Sequence, residues 1–269
     1  MAETGSVKFL TDTGIPLTVH LTPDNFIGDT VFYIIPAGGF KVIQTDGSPS
    51  SQNVGWALVT PSATNTPVGA GVFSFTQGGT LVTESGIPAA VPTTHARIYV
   101  DKTVSAAGTH NTGLAIANPS QAQGLNVTIS AFQMDGVTPV GSSAGPVSLN
   151  VLGHAAKFAD QFINGLPNGF TGVLDISASS PFVALTLRSL NNTRLPSSDF
   201  LLTTFPTADL NQISANPLIF PQIADSGGYQ TQIILLNTSN SSSNVTVNYF
   251  DGNGQPLALK RGGGHPSTC

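Results

Sequence analysis

Residues 126–142 read NVTISAFQMDGVTPVGS. Val127, Ile129 and Ala131 alternate with Thr128 and Ser130. A two-residue period of this kind turns one face of an extended strand to a core and the other to water. Asp135-Gly136 follows, a pair that tolerates the positive φ of a tight turn, and a short extended piece near Val140 leaves it. The same order of strand, turn and extended piece occurs twice more, in SVKFLTDTGIPLTV from Ser6 and in NVTVNYFDGNGQPLAL from Asn244. Gly14, Gly136 and Gly254 come into line, which sets a period of roughly 120 residues.

The likeness extends outward from this stretch. TGLAIANPSQAQGLNVT from Thr112 matches TQIILLNTSNSSSNVT from Thr231. IIPAGGFKVIQTDG from Ile34 matches NVLGHAAKFADQFI from Asn150. VGWALVTPS from Val54 matches TGVLDISAS from Thr171, and VGAGVFSFTQGG from Val68 matches PFVALTLRSLNN from Pro181. The expected organisation is a partial unit in 1–93, a complete unit in 94–212 and a partial unit in 213–260, followed by a non-native or disordered tail in 261–269.

In the complete unit, ARIYVDK, TGLAIAN, NVTISAFQMD, VSLNVL, GVLDISAS, FVALTLRSL and FLLTTF read as strands separated by turn signals. HAAKFADQFI carries Phe158 and Phe162 four apart, which predicts one or two helical turns with a buried face. The expected fold class is all-β: tandem antiparallel β-sandwich repeats with one short helix per unit.

Composition narrows the function classes. Only 9% of residues are charged, 40% are apolar, and the chain holds 29 glycines and 19 prolines, so it is a folded, turn-rich protein with few surface helices. The net charge of −5 and the lack of a basic patch with interleaved aromatics exclude a nucleic-acid partner. No stretch is long and apolar enough for a membrane span. The only cysteine, Cys269, is the last residue, so neither a disulfide within the chain nor a cysteine-based metal site is expected. The start lacks the basic and apolar regions of a leader, yet the composition is that of exported β-proteins, so a leader outside this chain is expected.

Several short motifs invite a catalytic reading. Asp12 in DTG and Asp225 in DSG resemble the paired triplets of aspartic proteases, whose two carboxylates share a proton. Asp12 falls in the turn that also holds Asp135 and Asp251, while Asp225 precedes a different strand, so the two triplets are not related by the repeat and read as turns. GSSAG around Ser143 fits a nucleophile elbow, but Pro146 and a strand follow it where a helix is required. His110 and His154 are the candidate bases for that serine or another loop serine, with Asp160 or Asp175 as orienters. His110 reads as a loop residue and His154 as the start of the short helix. Asp251 and Asn253 offer oxygens for a weak cation site, though too few for a dedicated calcium loop, and no cofactor is expected. Arg188 reads as a rim residue paired with Asp175 or Asp199, and Trp56 as core.

The blocks TGLAIANPS, DGNGQPL, GFTGVLDISAS and FVALTLRS resemble tandem modules of about this length in large exported or surface proteins of environmental bacteria. The resemblance covers nearly all of 95–260 and, more weakly, 5–93. It implies a surface or extracellular location and a sandwich architecture, and carries no established activity. The expected function is a non-catalytic extracellular module for structure, adhesion or ligand binding. The alternatives are a hydrolase of small esters or lactones and, after it, an aspartic-type protease. Each partial unit lacks strands that the other supplies, so residues 213–260 are expected to complete the first unit, in cis or from a second copy.

Overall fold

The structure is a computed structural model that describes residues 2–49, 51–63, 65–193, 199–212, 216–239 and 241–257. The expected tail, 261–269, lies outside the described residues. The chain divides into two compact units, 1–211 and 212–269.

The first unit opens with eight strands: β1 (Glu3–Thr11), β2 (Val19–Thr22), β3 (Phe26–Gly28), β4 (Thr30–Ile35), β5 (Gln44–Thr45), β6 (Gly55–Pro61), β7 (Ala70–Gln77) and β8 (Thr80–Pro88). They form small antiparallel sheets in the orders β4-β1-β6, β3-β2-β5 and β7-β8. Their core is thin. Leu10, Val19, Leu21 and Tyr33 are buried, whereas Phe32 and Ile34 on β4 and Val72, Phe73 and Phe75 on β7 are exposed.

The rest of the unit is a sandwich-like body. Its elements are β9 (Thr93–Lys102), β10 (Val104–Ser105), β11 (Gly108–Ala117), β12 (Leu125–Phe132), β13 (Pro139–Val140), β14 (Ser142–Ser143), β15 (Val147–Leu149), β16 (His154–Phe158), α1 (Ala159–Phe162), β17 (Ile163–Asn164), β18 (Phe170–Asn192), β19 (Asp199–Phe205) and β20 (Ala208–Asp209). The 23-residue β18 organises it. Its first half pairs with β12 and β9, and its second half with β11 and β19. Between them the register with β9 shifts from Ser177 to Phe182. The SASSP stretch causes this: proline donates no ladder hydrogen bond, and a bulge bends the strand. One strand thereby serves two layers. Two expected strands, GVLDISAS and FVALTLRSL, are in fact one.

The inward positions alternate as the sequence period requires. Ile98 and Val100 of β9, Leu114 and Ile116 of β11, Val127 and Ile129 of β12, and Leu174, Ile176 and Phe182 of β18 are all buried in one cluster. Ala159 and Phe162 of α1 join it.

The chain is therefore all-β with antiparallel sheets and, among the described residues, a single short helix. Two details of the helix differ from the sequence reading. It covers only 159–162, because His154–Phe158 is drawn into a five-pair ladder with β11, leaving Phe158 exposed while Phe162 is buried. The Phe158 amide donates to Gln161 Oε1 at 2.8 Å and starts the turn. In addition, the matching stretch 34–47 forms no helix, only the end of β4, a turn and β5.

Close backbone approach explains two glycines. A Cβ on Gly55 would lie 1.9 Å from the Leu10 carbonyl oxygen, and one on Gly172 would lie 2.3 Å from that of Phe132. Leu10 is one residue along the β1–β6 ladder, opposite Trp56, and Phe132 is likewise opposite Val173 in the β12–β18 ladder. Gly172→Ala is expected to destabilise the body by about 1–3 kcal/mol through forced strand separation, read as a lowered urea midpoint.

Candidate functional site

His154 marks the most chemically equipped place in the first unit. It stands at the start of β16, opposite Ala117, with its side chain only 7% exposed. Its Nδ1 lies 2.9 Å from Asp12 Oδ1, and its backbone N–H donates to the Asp12 carbonyl at 2.9 Å. A cavity of about 250 Å³ adjoins it, bounded by the 144–149 segment, Lys157, Gln161 and Phe162. Ser148 stands in that wall, its Oγ donating to Asn126 Oδ1 at 2.7 Å. His154 is thus a buried strand residue and not the polar N-terminus of a helix.

The carboxylate reaches His154 because its own turn does not use it. The turn at Thr11 is closed by Thr11 N–H to Ile15 O, Gly14 N–H to Thr11 O and Leu17 N–H to Phe9 O, at 2.9, 3.0 and 2.9 Å. The turn at Asp251 repeats these bonds, Asp251 to Gln255, Gly254 to Asp251 and Leu257 to Tyr249, at the same three distances. Gly14, Gly136 and Gly254 all have positive φ, at 83°, 72° and 76°. The aspartates, however, occupy different positions in their turns. Asp251 Oδ1 accepts from the amides of Asn253 and Gln255. Asp135 accepts from the Thr138 hydroxyl and from the amides of Thr138 and Val137, and these bonds hold its carboxyl below the usual carboxylate range. At the first turn the Thr11 hydroxyl makes the local bond, to Ile15 O. Asp12, one residue later, is left free to reach His154. The sequence reading groups the three acids as one turn feature, although with the glycines in line they already fall two, one and three residues before Gly14, Gly136 and Gly254.

Within the first unit, none of His110, Ser143, Asp160 and Asp175 lines the cavity beside His154. His110 lies on β11 opposite Leu190, not in a loop, with a buried Nδ1 that has no partner among the described residues. It is seven residues along β11 from Ala117, about 23 Å at the rise of a strand. Ser143 sits in β14 opposite Ile163, exposed, its Oγ 3.3 Å from both the N and O of Gly145. Pro146 and β15 follow, so no helix succeeds the serine. Asp160 pairs with Lys102 at 3.1 Å. Asp225 belongs to the second unit, where its neighbour Ser226 has positive φ and bridges to Tyr229. Asp251 Oδ1 is engaged by its own turn, to which Asn253 contributes its backbone amide. Among the described residues no three His, Cys, Asp or Glu side chains cluster as a metal site.

The strongest ion pairs tie strands together. Asp175 on β18 is held between His95 Nε2 and Arg97 Nε of β9, each at 2.9 Å. Arg188 meets neither Asp175 nor Asp199: its Nε and a terminal nitrogen donate to Asp101 Oδ2 at 2.9 and 2.6 Å. Asp101 also accepts from the Thr103 hydroxyl. Asp101 lies on β9 and Arg188 on the second half of β18, so this pair links the two layers. Trp56 is half-buried, and its indole N–H donates to the Leu152 carbonyl at 2.9 Å.

No helix among the described residues is long and apolar enough to cross a membrane. Comparison with protein-family models, with curated proteins and with solved structures finds no match to this chain.

Proposed function

We propose that this chain is a non-catalytic, repeated β-sandwich-like module of an exported or cell-surface protein, serving as a structural or adhesive element. The observation that carries the reading is where the polar side chains spend their bonds. Asp175, Asp101 and Arg188 join neighbouring strands or layers, Asp135 and Asp251 close their own turns, and the Asp12–His154 pair joins the first turn to β16. The repeat draws support from ladders as well as turns. Under the sequence alignment, Leu10 opposite Trp56 corresponds to Phe132 opposite Val173, and Gly55 and Gly172 press on the matching carbonyls. The β7–β8 hairpin likewise corresponds to the second half of β18 with β19, with Phe73 opposite Ser85 and Thr186 opposite Phe205.

One observation favours the hydrolase alternative: an imidazole with a carboxylate on Nδ1 and a serine in the same cavity wall are the parts of an acyl-transfer site. Incubation of the pure protein with chromogenic esters and lactones between pH 5 and 9 separates the two. No turnover above buffer is expected. Turnover abolished in both Ser148→Ala and His154→Ala would replace the structural reading with the catalytic one.

A further inference from the structure

In the complete unit, the second half of β18 is flanked on both sides, by β11 and by β19. Its counterpart β7 pairs, among the described residues, with β8 alone. β8 in turn is anchored to β19: the Leu202 amide donates to Thr83 Oγ1 at 3.0 Å, and the Thr204 hydroxyl donates to the Gly86 carbonyl. The outer edge of β7 thus presents a row of backbone groups without ladder partners among the described residues, and all eight of its residues are exposed. Among the described residues, the slot that β11 fills beside β18 has no occupant beside β7.

The chain also carries a segment whose sequence suits such a slot. TQIILLN, 231–237, matches TGLAIAN, 112–118, in β11. The loops after them are built alike. Asn118 donates through Nδ2 to the Gln123 carbonyl and accepts from Ser120 N–H, and Asn237 donates through Nδ2 to the Ser241 carbonyl and accepts from Ser239 N–H. Yet 231–237 joins no ladder among the described residues, where the second unit shows only the isolated bridges Ser226–Tyr229 and Phe250–Pro256.

We propose that residues 231–237 of a second copy of this chain add to the outer edge of β7 as an antiparallel strand. This rests on the repeat reading above and names its partner. The register follows from β11 on β18, where Thr112, Gly113, Leu114 and Ile116 face Arg188, Leu187, Thr186 and Ala184. Transferred through the alignment, Thr231, Gln232, Ile233 and Leu235 face Phe75, Ser74, Phe73 and Gly71. Ile233 and Leu235 then cover the side of β7 that bears Phe73, because directly opposed residues of a ladder point the same way. A strand from the second unit of one copy that enters an edge on the first unit of another is a heterologous contact, which builds a ring of copies where the rotation closes and an open chain where it does not.

Cysteine crosslinking between differently marked copies tests this. In a Cys269→Ser background, the full-length Ser74→Cys chain is mixed with the full-length Gln232→Cys chain and oxidised, with Val72→Cys replacing Ser74→Cys as a control two residues out of register. A disulfide forms only where the Cα atoms approach within about 7 Å. A product of twice the chain mass from the Ser74/Gln232 mixture, lost in the Val72/Gln232 mixture, is the expected result. A crosslink at single-chain mass in a Ser74→Cys, Gln232→Cys double variant, with none in the mixture, would show that the strand folds back on its own copy and overturns the proposal. No crosslink, or equal crosslinking in the control, also overturns it. Crosslinking is read by mass and is blind to ester turnover, so neither test decides the other.

Discussion

Phe182→Ala is expected to lower the stability of the first unit by about 3–5 kcal/mol, seen as a fall in the urea midpoint followed by circular dichroism. Phe182 is fully buried in the core cluster and stands just after the register shift of β18, opposite Thr93. Its ring fills the interior where that strand leaves one layer for the other. Truncation removes the burial energy of the ring and leaves a cavity that close-packed strands cannot collapse into. Phe158→Ala is the matched control. Phe158 belongs to the four-residue spacing that the sequence offers as a buried pair, but it is 36% exposed on β16. Its loss is expected to cost about 1 kcal/mol or less. If the two substitutions cost the same, the packing described for β18 is wrong.

Arg188→Ala is expected to cost a comparable amount, about 3–5 kcal/mol, for an electrostatic reason. The Asp101 side chain is only 6% exposed, and Arg188 supplies both of the charged hydrogen bonds to its Oδ2. Without the guanidinium, a carboxylate remains desolvated with the Thr103 hydroxyl as its partner. The signature is non-additivity: Asp101→Asn placed on Arg188→Ala should restore part of the lost stability, because the residual side chain is neutral. The exposed Lys41–Asp24 pair, 3.9 Å apart, is the contrast, and Lys41→Ala should change stability by roughly 0.5 kcal/mol or less. Recovery in the double variant distinguishes a stranded charge from simple loss of the arginine stem's packing.

These two sites differ in how far they could be read from the chain. Phe182 sits in the apolar run FVALTLRSL, which reads as a strand, but Val183, Leu185 and Leu187 on the other face are as apolar as its inward positions, so neither its face nor its place at the crossing between layers was legible. Arg188 was visible as a lone cation, but Asp175 and Asp199 were its expected partners, and the structure gives it Asp101. Asp175 is instead taken by Arg97, directly across the ladder from it, and by His95, two residues along. His154 was legible as a candidate base, but not as a buried strand residue, since its neighbours Ala155, Ala156 and Lys157 suit a helix and only the ladder with β11 overrides them.

The sequence by itself determined most strands of the first unit, its turns and the apolar character of its core. Alternation, Asp-Gly and Asn-Gly steps and positive-φ glycines act over a few residues, and backbone geometry alone converts them into structure. Tertiary structure alone decided which polar groups meet. Asp12 and His154 are 142 residues apart, and Asp101 and Arg188 are 87. No local period specifies such pairs. They follow from the bend that carries β18 between two layers and from the ladder that holds His154 in reach of the first turn, and both depend on strands that are distant in the chain.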